Sequence, residues 1–183
     1  TIHIHRGEEQ EAREYFSSVF FGNVIMAGIF LLPALVIVIF MGNLPFLHVP
    51  ADALHDVQLL WAFVFLNFFL SIIMSIYSVS TYAMNRLDLT SIRSMYADIL
   101  RIIFLFGTFL LWRPALWLVG AASLISSCYT AFWNRRYTRQ LLPGITVRRQ
   151  DFRWKKVWEL ISLGAWNSLT RLGQQLLDGV DIL

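Results

Sequence analysis

Charged residues are scarce in this sequence. They make up 15% of its 183 residues, whereas 57% of the residues are hydrophobic, and a typical soluble domain carries about 25% charged residues. The mean hydropathy is +0.58. A soluble fold has too little interior to bury this much apolar surface, so the composition excludes a soluble globular domain. It predicts an all-α integral membrane protein.

The motifs of enzymes and metal sites are also missing. The one cysteine, Cys128, forms neither an internal disulfide nor a cysteine metal site, and no nucleophile elbow, phosphate-binding glycine loop, CxxC or HExxH occurs. The four histidines lack metal-ligand spacing: His3, His5, His48 and His55. We therefore predict that the protein is not an enzyme and has no cofactor and no metal. One alternative is an intramembrane enzyme that uses Asp178 and Asp181.

Long apolar runs dominate the sequence instead. A helix needs about 20 mainly apolar residues to cross a bilayer core, and five stretches meet or approach that length. Pro33 predicts a kink in the first stretch. The predicted transmembrane helices are Phe16–Met41, Leu59–Met84, a third that starts near Ile92 and includes Arg101, Ala115–Trp133, and a fifth that starts near Trp154. Because the chain starts at Thr1 and its last apolar run continues to Leu183, we expect an internal fragment of a longer polytopic protein.

The distribution of basic residues predicts the orientation, because membrane proteins keep Lys and Arg in cytoplasmic loops. Residues 41–58 contain no Lys or Arg and should lie outside, whereas Thr1–Glu14, Asn85–Ser91 and Asn134–Lys156 should lie inside. Aromatic residues interleave with the eight basic residues of the last loop, a pattern that single-strand nucleic-acid binders also show. We favour the membrane interface as the reason for both residue types and predict no nucleic-acid partner.

The fifth span carries a stripe of polar side chains. At the helical rotation per residue, five of them share an arc of about 80°: Asn167, Arg171, Gln174, Asp178 and Asp181. A charged side chain near the bilayer centre costs about 2.5–3.5 kcal/mol, so this face must meet water, a partner charge or a substrate. The length of the stripe favours a water-filled transport cavity. The alternative is a structural salt bridge between Arg171 and an acid.

Weaker polar patterns occur in two other spans. In the third span, Asp98 and Arg101 are spaced to pair on one helix face; Arg101 could instead snorkel to the cytoplasmic surface or bind phosphate in a cavity. The polar edge of the second span either lines a cavity or packs against a neighbouring helix, since small polar residues also allow close helix contact. Its members are Asn67, Ser71, Ser75, Ser78, Tyr82 and Asn85.

Several stretches resemble a known family. They are Gly7-Glu-Glu-Gln-Glu-Ala-Arg-Glu-Tyr-Phe-Ser-Ser-Val-Phe-Phe21, Asn85-Arg-Leu-Asp-Leu89 with Ile99-Leu-Arg101-Ile-Ile, and Leu163-Gly-Ala-Trp-Asn-Ser-Leu with Leu177-Asp-Gly-Val-Asp181. They are similar to the prokaryotic polysaccharide exporters of the multidrug/oligosaccharidyl-lipid/polysaccharide exporter superfamily. By this resemblance the chain corresponds to spans three to seven of a two-lobe transporter with twelve to fourteen spans.

The resemblance implies a function and a set of site residues. Residues 1–153 would end the first lobe, and residues 154–183 would be the truncated first span of the second. The implied function is to flip a lipid-linked oligosaccharide across the bacterial or archaeal cytoplasmic membrane by alternating access, in contact with membrane lipid and coupled to a proton or sodium ion. The implied substrate contacts are Arg101, Asn167, Arg171, Gln174 and Gln175, and the implied ion-coupling residues are Asp178 and Asp181.

Two other functions remain as alternatives. The first is a cation-coupled multidrug exporter of the same superfamily, which should show acids and aromatics but no arginine in its cavity. Arg171 therefore argues against it. The second is a membrane scaffold protein that does not transport, for which a polar stripe along four helical turns has no purpose.

Cysteine labelling tests the predicted orientation. In a Cys128→Ser background, single cysteines at Asp52 and at Arg148 should react with a membrane-impermeant thiol reagent from opposite sides of the membrane, because one loop has no basic residue and the other has eight. Labelling of both positions from the same side of intact cells would reject the five-span arrangement.

Overall fold

The computed structural model describes residues 9–41, 53–111 and 115–162. Within these ranges the chain is helical and has no strand, which confirms the predicted all-α membrane helix bundle. The helices are α1 (Glu9–Phe40), α2 (Leu54–Met74), α3 (Val79–Ala83), α4 (Leu87–Leu111), α5 (Trp117–Leu141) and α6 (154–162), with 3₁₀ turns at Ser75–Ser78 and Arg149–Asp151. The remainder of the predicted fifth span, from residue 163 onward, lies outside the described residues.

Three helical segments of the described chain are long and apolar enough to cross a membrane: Glu9–Phe40, Leu54–Ala83 and Leu87–Leu111. The first continues through Pro33 as a helix. Large apolar side chains on these segments stay exposed, such as Leu32 on α1 and Phe106 on α4. An apolar exterior of this kind suits lipid rather than water, so the chain is a multi-pass membrane protein.

The predicted fourth span forms a helix, α5, but it is not one of these three apolar segments. Three serines and Asn134 lower its hydropathy, and its last two turns carry Arg135, Arg136 and Arg139. The helix also extends eight residues beyond the predicted end at Trp133. The membrane crossing of α5 therefore stays a prediction.

The sequence predicted one continuous helix for the second span. The structure shows an interrupted helix instead. It starts at Leu54, tightens into the 3₁₀ turn Ser75–Ser78, and resumes as α3. The Ser75 hydroxyl donates to the Ile72 carbonyl at 2.8 Å, and the Ser78 hydroxyl donates to the Ser75 carbonyl at 2.6 Å. Serine side chains that bond to nearby carbonyls compete with the regular helical pattern, which explains an interruption at this sequence.

Asn85 ends the second span in a left-handed backbone conformation, with φ of 51°. The Arg86 N–H donates to the Thr81 carbonyl at 2.8 Å, and the Asn85 N–H donates to the Tyr82 carbonyl at 3.2 Å. This pair of bonds is a Schellman motif, and asparagine is one of the few residues other than glycine that accept its positive φ. Asn85 thus fixes the turn into α4.

Helices α2 and α5 lie in tight contact at Gly120. A methyl group added there would lie 2.8 Å from the Phe63 Cβ atom and 3.2 Å from the Leu60 carbonyl oxygen. Ala121 and Ala122 follow and are buried. Small residues allow the two helix backbones to come this close. In a membrane the hydrophobic effect does not drive helices together, so van der Waals packing at such contacts stabilises the pair.

The loop after α5 docks on the first turns of α1. The buried Ser17 hydroxyl accepts the Arg148 N–H at 3.1 Å, and the buried Ser18 hydroxyl accepts the Arg153 N–H at 2.9 Å. These bonds place the start of α1 and the basic loop at the same end of the bundle. The sequence had predicted both segments on the cytoplasmic side.

Ion pairs reinforce this docking. Lys156 contacts Glu11 at 2.6 Å, and Arg153 lies 4.0 Å from Glu14. The sequence predicted these basic residues only as flanks of the membrane interface, because their acidic partners lie 139 or more positions away in sequence. Part of the basic loop is therefore a packed structural segment.

Two alanine substitutions test the contact at Gly120. Gly120→Ala should lower the melting temperature of the detergent-solubilised full-length protein, because overpacking of a tight contact costs about 1–3 kcal/mol. Gly28→Ala is the matched control, since nothing lies within 4 Å of an added methyl group at Gly28. Equal melting temperatures for the two variants would contradict the close approach of α2 and α5.

Candidate functional site: a hydroxyl-lined groove between two helices

A groove of about 170 Å³ lies between the second span and α5. One wall is formed by α2 and the following 3₁₀ turn, and the other by the middle of α5. Six of its lining residues are polar and uncharged, and none is an acid or a base. The lining residues are Leu70, Ser71, Met74, Ser75, Ser78, Ser127, Thr130, Ala131 and Asn134.

The structure brings three of the six predicted cavity residues of the second span into this groove: Ser71, Ser75 and Ser78. The other three lie elsewhere. Asn67 is half-buried and its Oδ1 atom has no hydrogen-bond partner within the described chain. Tyr82 is 62% exposed, and Asn85 occupies the turn into α4.

The groove hydroxyls fall into two groups. Ser75 and Ser78 donate their protons to carbonyls of their own helix, so their oxygen atoms can act only as acceptors, and the Ser75 oxygen already accepts one bond from the Asn23 amide at 3.2 Å. Ser71, Ser127 and Thr130 make no side-chain hydrogen bond to any described residue, and each has a proton and an oxygen available. The groove can therefore both accept and donate hydrogen bonds.

A buried arginine stands behind the groove. Arg93 of α4 is 7% exposed, and its Nη1 atom donates to Oδ1 of Asn134, which is 5% exposed and lines the groove. The Arg93 Nε atom is buried without a partner in the described chain. No acid among the described residues pairs with this guanidinium. Within the part of the chain that the structure describes, the positive charge of Arg93 therefore has no acidic partner beside a groove lined by neutral residues.

Arg93 and Asn134 were not among the residues predicted from the sequence. Their contact joins residues 41 positions apart, which no local spacing reveals. The available signal was an arginine six residues into an apolar helix, because such residues usually face a bundle interior or a polar partner. Arg101 has the same signal and was the arginine of this span that the sequence singled out.

A second set of buried polar groups lies next to the Asn134 end of the groove. The Thr138 hydroxyl lies 2.9 Å from the Tyr77 carbonyl oxygen and 2.9 Å from the Ser80 hydroxyl. The Thr90 hydroxyl of α4 donates to the Thr81 hydroxyl at 3.0 Å. These bonds tie α4 and α5 to the second span just beyond the groove.

The remaining predicted site residues are not part of the groove. Arg101 and Asp98 are both exposed on α4, and no ion pair joins them, so of the three roles considered for Arg101 the pairing with Asp98 is not seen in the described chain. The fifth-span residues lie outside the described residues: Asn167, Arg171, Gln174, Gln175, Asp178 and Asp181. Within the described ranges, no three His, Cys, Asp or Glu side chains are grouped so that they could hold a metal.

Comparison with known proteins gives the family. The family model for polysaccharide biosynthesis proteins matches residues 1–183. The chain belongs to the polysaccharide biosynthesis protein family. This confirms the family resemblance that the sequence predicted, and it agrees with the membrane character of the helices.

One relative within the polysaccharide biosynthesis family is the uncharacterized membrane protein EpsK of Bacillus subtilis (strain 168). It is 25% identical over all 183 residues, and the chain spans 36% of its length. No solved structure shows a significant match to the chain.

Proposed function

We propose that this chain forms part of a transporter that moves a lipid-linked saccharide precursor across the cytoplasmic membrane. The observation that carries the proposal is the groove, which five hydroxyl groups and one amide line between helices that also expose large apolar side chains. A polar surface inside a membrane protein is costly and usually marks a substrate or ion pathway. Membership of the polysaccharide biosynthesis family supports a saccharide as the cargo.

The chemistry of the groove suits sugar hydroxyls. Each sugar hydroxyl is both a donor and an acceptor, and the groove offers free hydroxyls at Ser71, Ser127 and Thr130 beside an acceptor oxygen at Ser78. Replacing the hydration shell of a saccharide in this way lowers the cost of moving it past the hydrocarbon core. The groove is thus one wall of the proposed pathway.

The proposed mechanism is alternating access between two lobes. Residues 1–153 would belong to the first lobe and residues 154–183 to the first span of the second. In this proposal Arg101 and Arg171 contact the acidic part of the cargo, and Asn167, Gln174 and Gln175 contact its sugars. Asp178 and Asp181 would carry the coupling proton or sodium ion.

A multidrug exporter for organic cations is the second candidate function, and the groove argues against it. Cation cargo calls for acidic side chains or aromatic faces. The groove lining contains neither, and the charge behind it is the positive charge of Arg93. A neutral or anionic cargo fits these residues better.

A transport assay with the full-length protein tests the proposal. Ser71 is exposed along the groove, so Ser71→Leu should fill the groove without disturbing packed residues. We expect transport of a fluorescently labelled polyprenyl-diphosphate oligosaccharide in proteoliposomes to fall about tenfold, the equivalent of about 1.4 kcal/mol of lost interaction.

Ser94→Leu is the matched control. Ser94 is exposed on α4 and does not line the groove, so the same substitution there should leave transport unchanged. Both variants should reach wild-type abundance in the membrane. Equal transport by Ser71→Leu and Ser94→Leu would remove the groove from the pathway, and a wild-type protein that moves no lipid-linked saccharide would refute the function itself.

A further inference from the structure

We infer that the groove is a phosphate-binding site, in which Arg93 acts through the side-chain amide of Asn134 on a lipid-borne phosphate group. This inference rests on the proposed function, since it names the chemical group that the proposed pathway recognises. Neither residue was a predicted site residue. The ligand class follows from charge, amide orientation and depth in the membrane.

Arg93 carries a buried positive charge that has no acidic partner among the described residues. A buried guanidinium normally has an acid beside it, because an unpaired charge is costly to bury. Within the described ranges Arg93 has the Asn134 oxygen as its hydrogen-bond partner, and its buried Nε atom has none. An anion bound nearby would supply the missing negative charge. A neutral ligand would leave it uncompensated.

The Asn134 side-chain amide turns its oxygen toward Arg93. A guanidinium can only donate hydrogen bonds, so the atom that faces Arg93 has to be the amide oxygen. The amide nitrogen donates no hydrogen bond to any described residue, although Asn134 is only 5% exposed. Because Asn134 lines the groove, its two N–H donors are what it can present to a ligand there. Polarisation by Arg93 strengthens them as donors to an anion.

Arg93 and Asn134 both lie near one end of their helices. Arg93 lies six residues, or about 9 Å, from the start of α4 at Leu87. Asn134 lies between Trp133 and the basic residues Arg135 and Arg136, and tryptophan followed by arginine marks the interface of a membrane. The Asn134 end of the groove is therefore close to the level of the lipid headgroups. The anions that a bilayer holds at this level are lipid phosphates.

Ser127 and Thr130 complete the proposed site. They lie seven and four residues before Asn134 on α5, so all three share one helix face. Both hydroxyls are free of bonds to the described chain and can donate to phosphate oxygens. Two sources of phosphate fit this chemistry: the diphosphate of a polyprenyl carrier and the phosphodiester of an anionic glycerophospholipid.

Binding measurements on the purified full-length protein in dodecyl maltoside distinguish these sources. The probes are farnesyl diphosphate, dioctanoyl phosphatidylglycerol and, as the neutral control, farnesol. We expect at least one phosphate probe to bind about tenfold or more tightly than farnesol, in line with charge-assisted hydrogen bonds to the headgroup. Preference for the diphosphate identifies a carrier lipid, and preference for phosphatidylglycerol identifies a bilayer lipid.

Asn134→Asp is the decisive variant. A carboxylate at this position would pair with Arg93 and neutralise it inside the protein, so the melting temperature should be equal to or above that of the wild type. Phosphate binding should nevertheless weaken about tenfold or more, because the amide donors are gone and an anion now meets a negative charge. Arg139→Gln, which removes an exposed arginine of α5 outside the groove, should leave binding unchanged.

The outcomes separate this inference from the proposed function. Farnesol binding as tightly as the phosphate probes, or phosphate binding that survives Asn134→Asp, overturns the phosphate site. Neither result affects a positive transport assay with the wild-type protein. Conversely, phosphate binding that depends on Asn134 in a protein that transports no lipid-linked saccharide would refute the proposed function and leave the binding site in place.

Discussion

The hydrogen bonds of the Thr138 hydroxyl hold the described bundle together at its polar end. This hydroxyl meets the Tyr77 carbonyl oxygen and the Ser80 hydroxyl, each at 2.9 Å, and it is almost fully buried. Hydrocarbon offers no partners to polar groups, so a membrane helix has to satisfy them against other helices. The contact fixes α5 against the interrupted part of the second span. Asn134, one turn earlier on α5, is thereby placed between the groove and Arg93.

The same constraint explains why the second span is interrupted where it is. The 3₁₀ turn Ser75–Ser78 lies directly before Ser80, and its hydroxyls bond to their own backbone. Asn23 of α1 also reaches this region, where its amide nitrogen donates to the Ile72 carbonyl at 2.9 Å. Polar side chains from two neighbouring helices thus meet at the interruption. Ser75 and Ser78 of this interruption form part of the groove wall.

Much of the architecture could be predicted because it depends on local patterns. Hydropathy predicted the long helices, and helical spacing predicted that Ser71, Ser75 and Ser78 share a face. The 3₁₀ turn was not predicted, because a run of serines also fits a regular helix. The Arg93 and Asn134 contact was not predicted either, because it depends on how α4 and α5 rotate against each other. The docking of the basic loop on Ser17 depends in the same way on contacts between distant segments.

Disulfide cross-linking in native membranes measures the contact on which this arrangement depends. In full-length protein with Cys128→Ser, the pair Ser80→Cys and Thr138→Cys should form a disulfide under mild oxidation, because the two native oxygens lie 2.9 Å apart. The pair Ser80→Cys and Thr130→Cys is the control, since Thr130 lies about 12 Å further along α5. A disulfide in the first pair alone is the predicted result. Cross-linking of the control pair, or of neither pair, would contradict the arrangement of α5 against the second span.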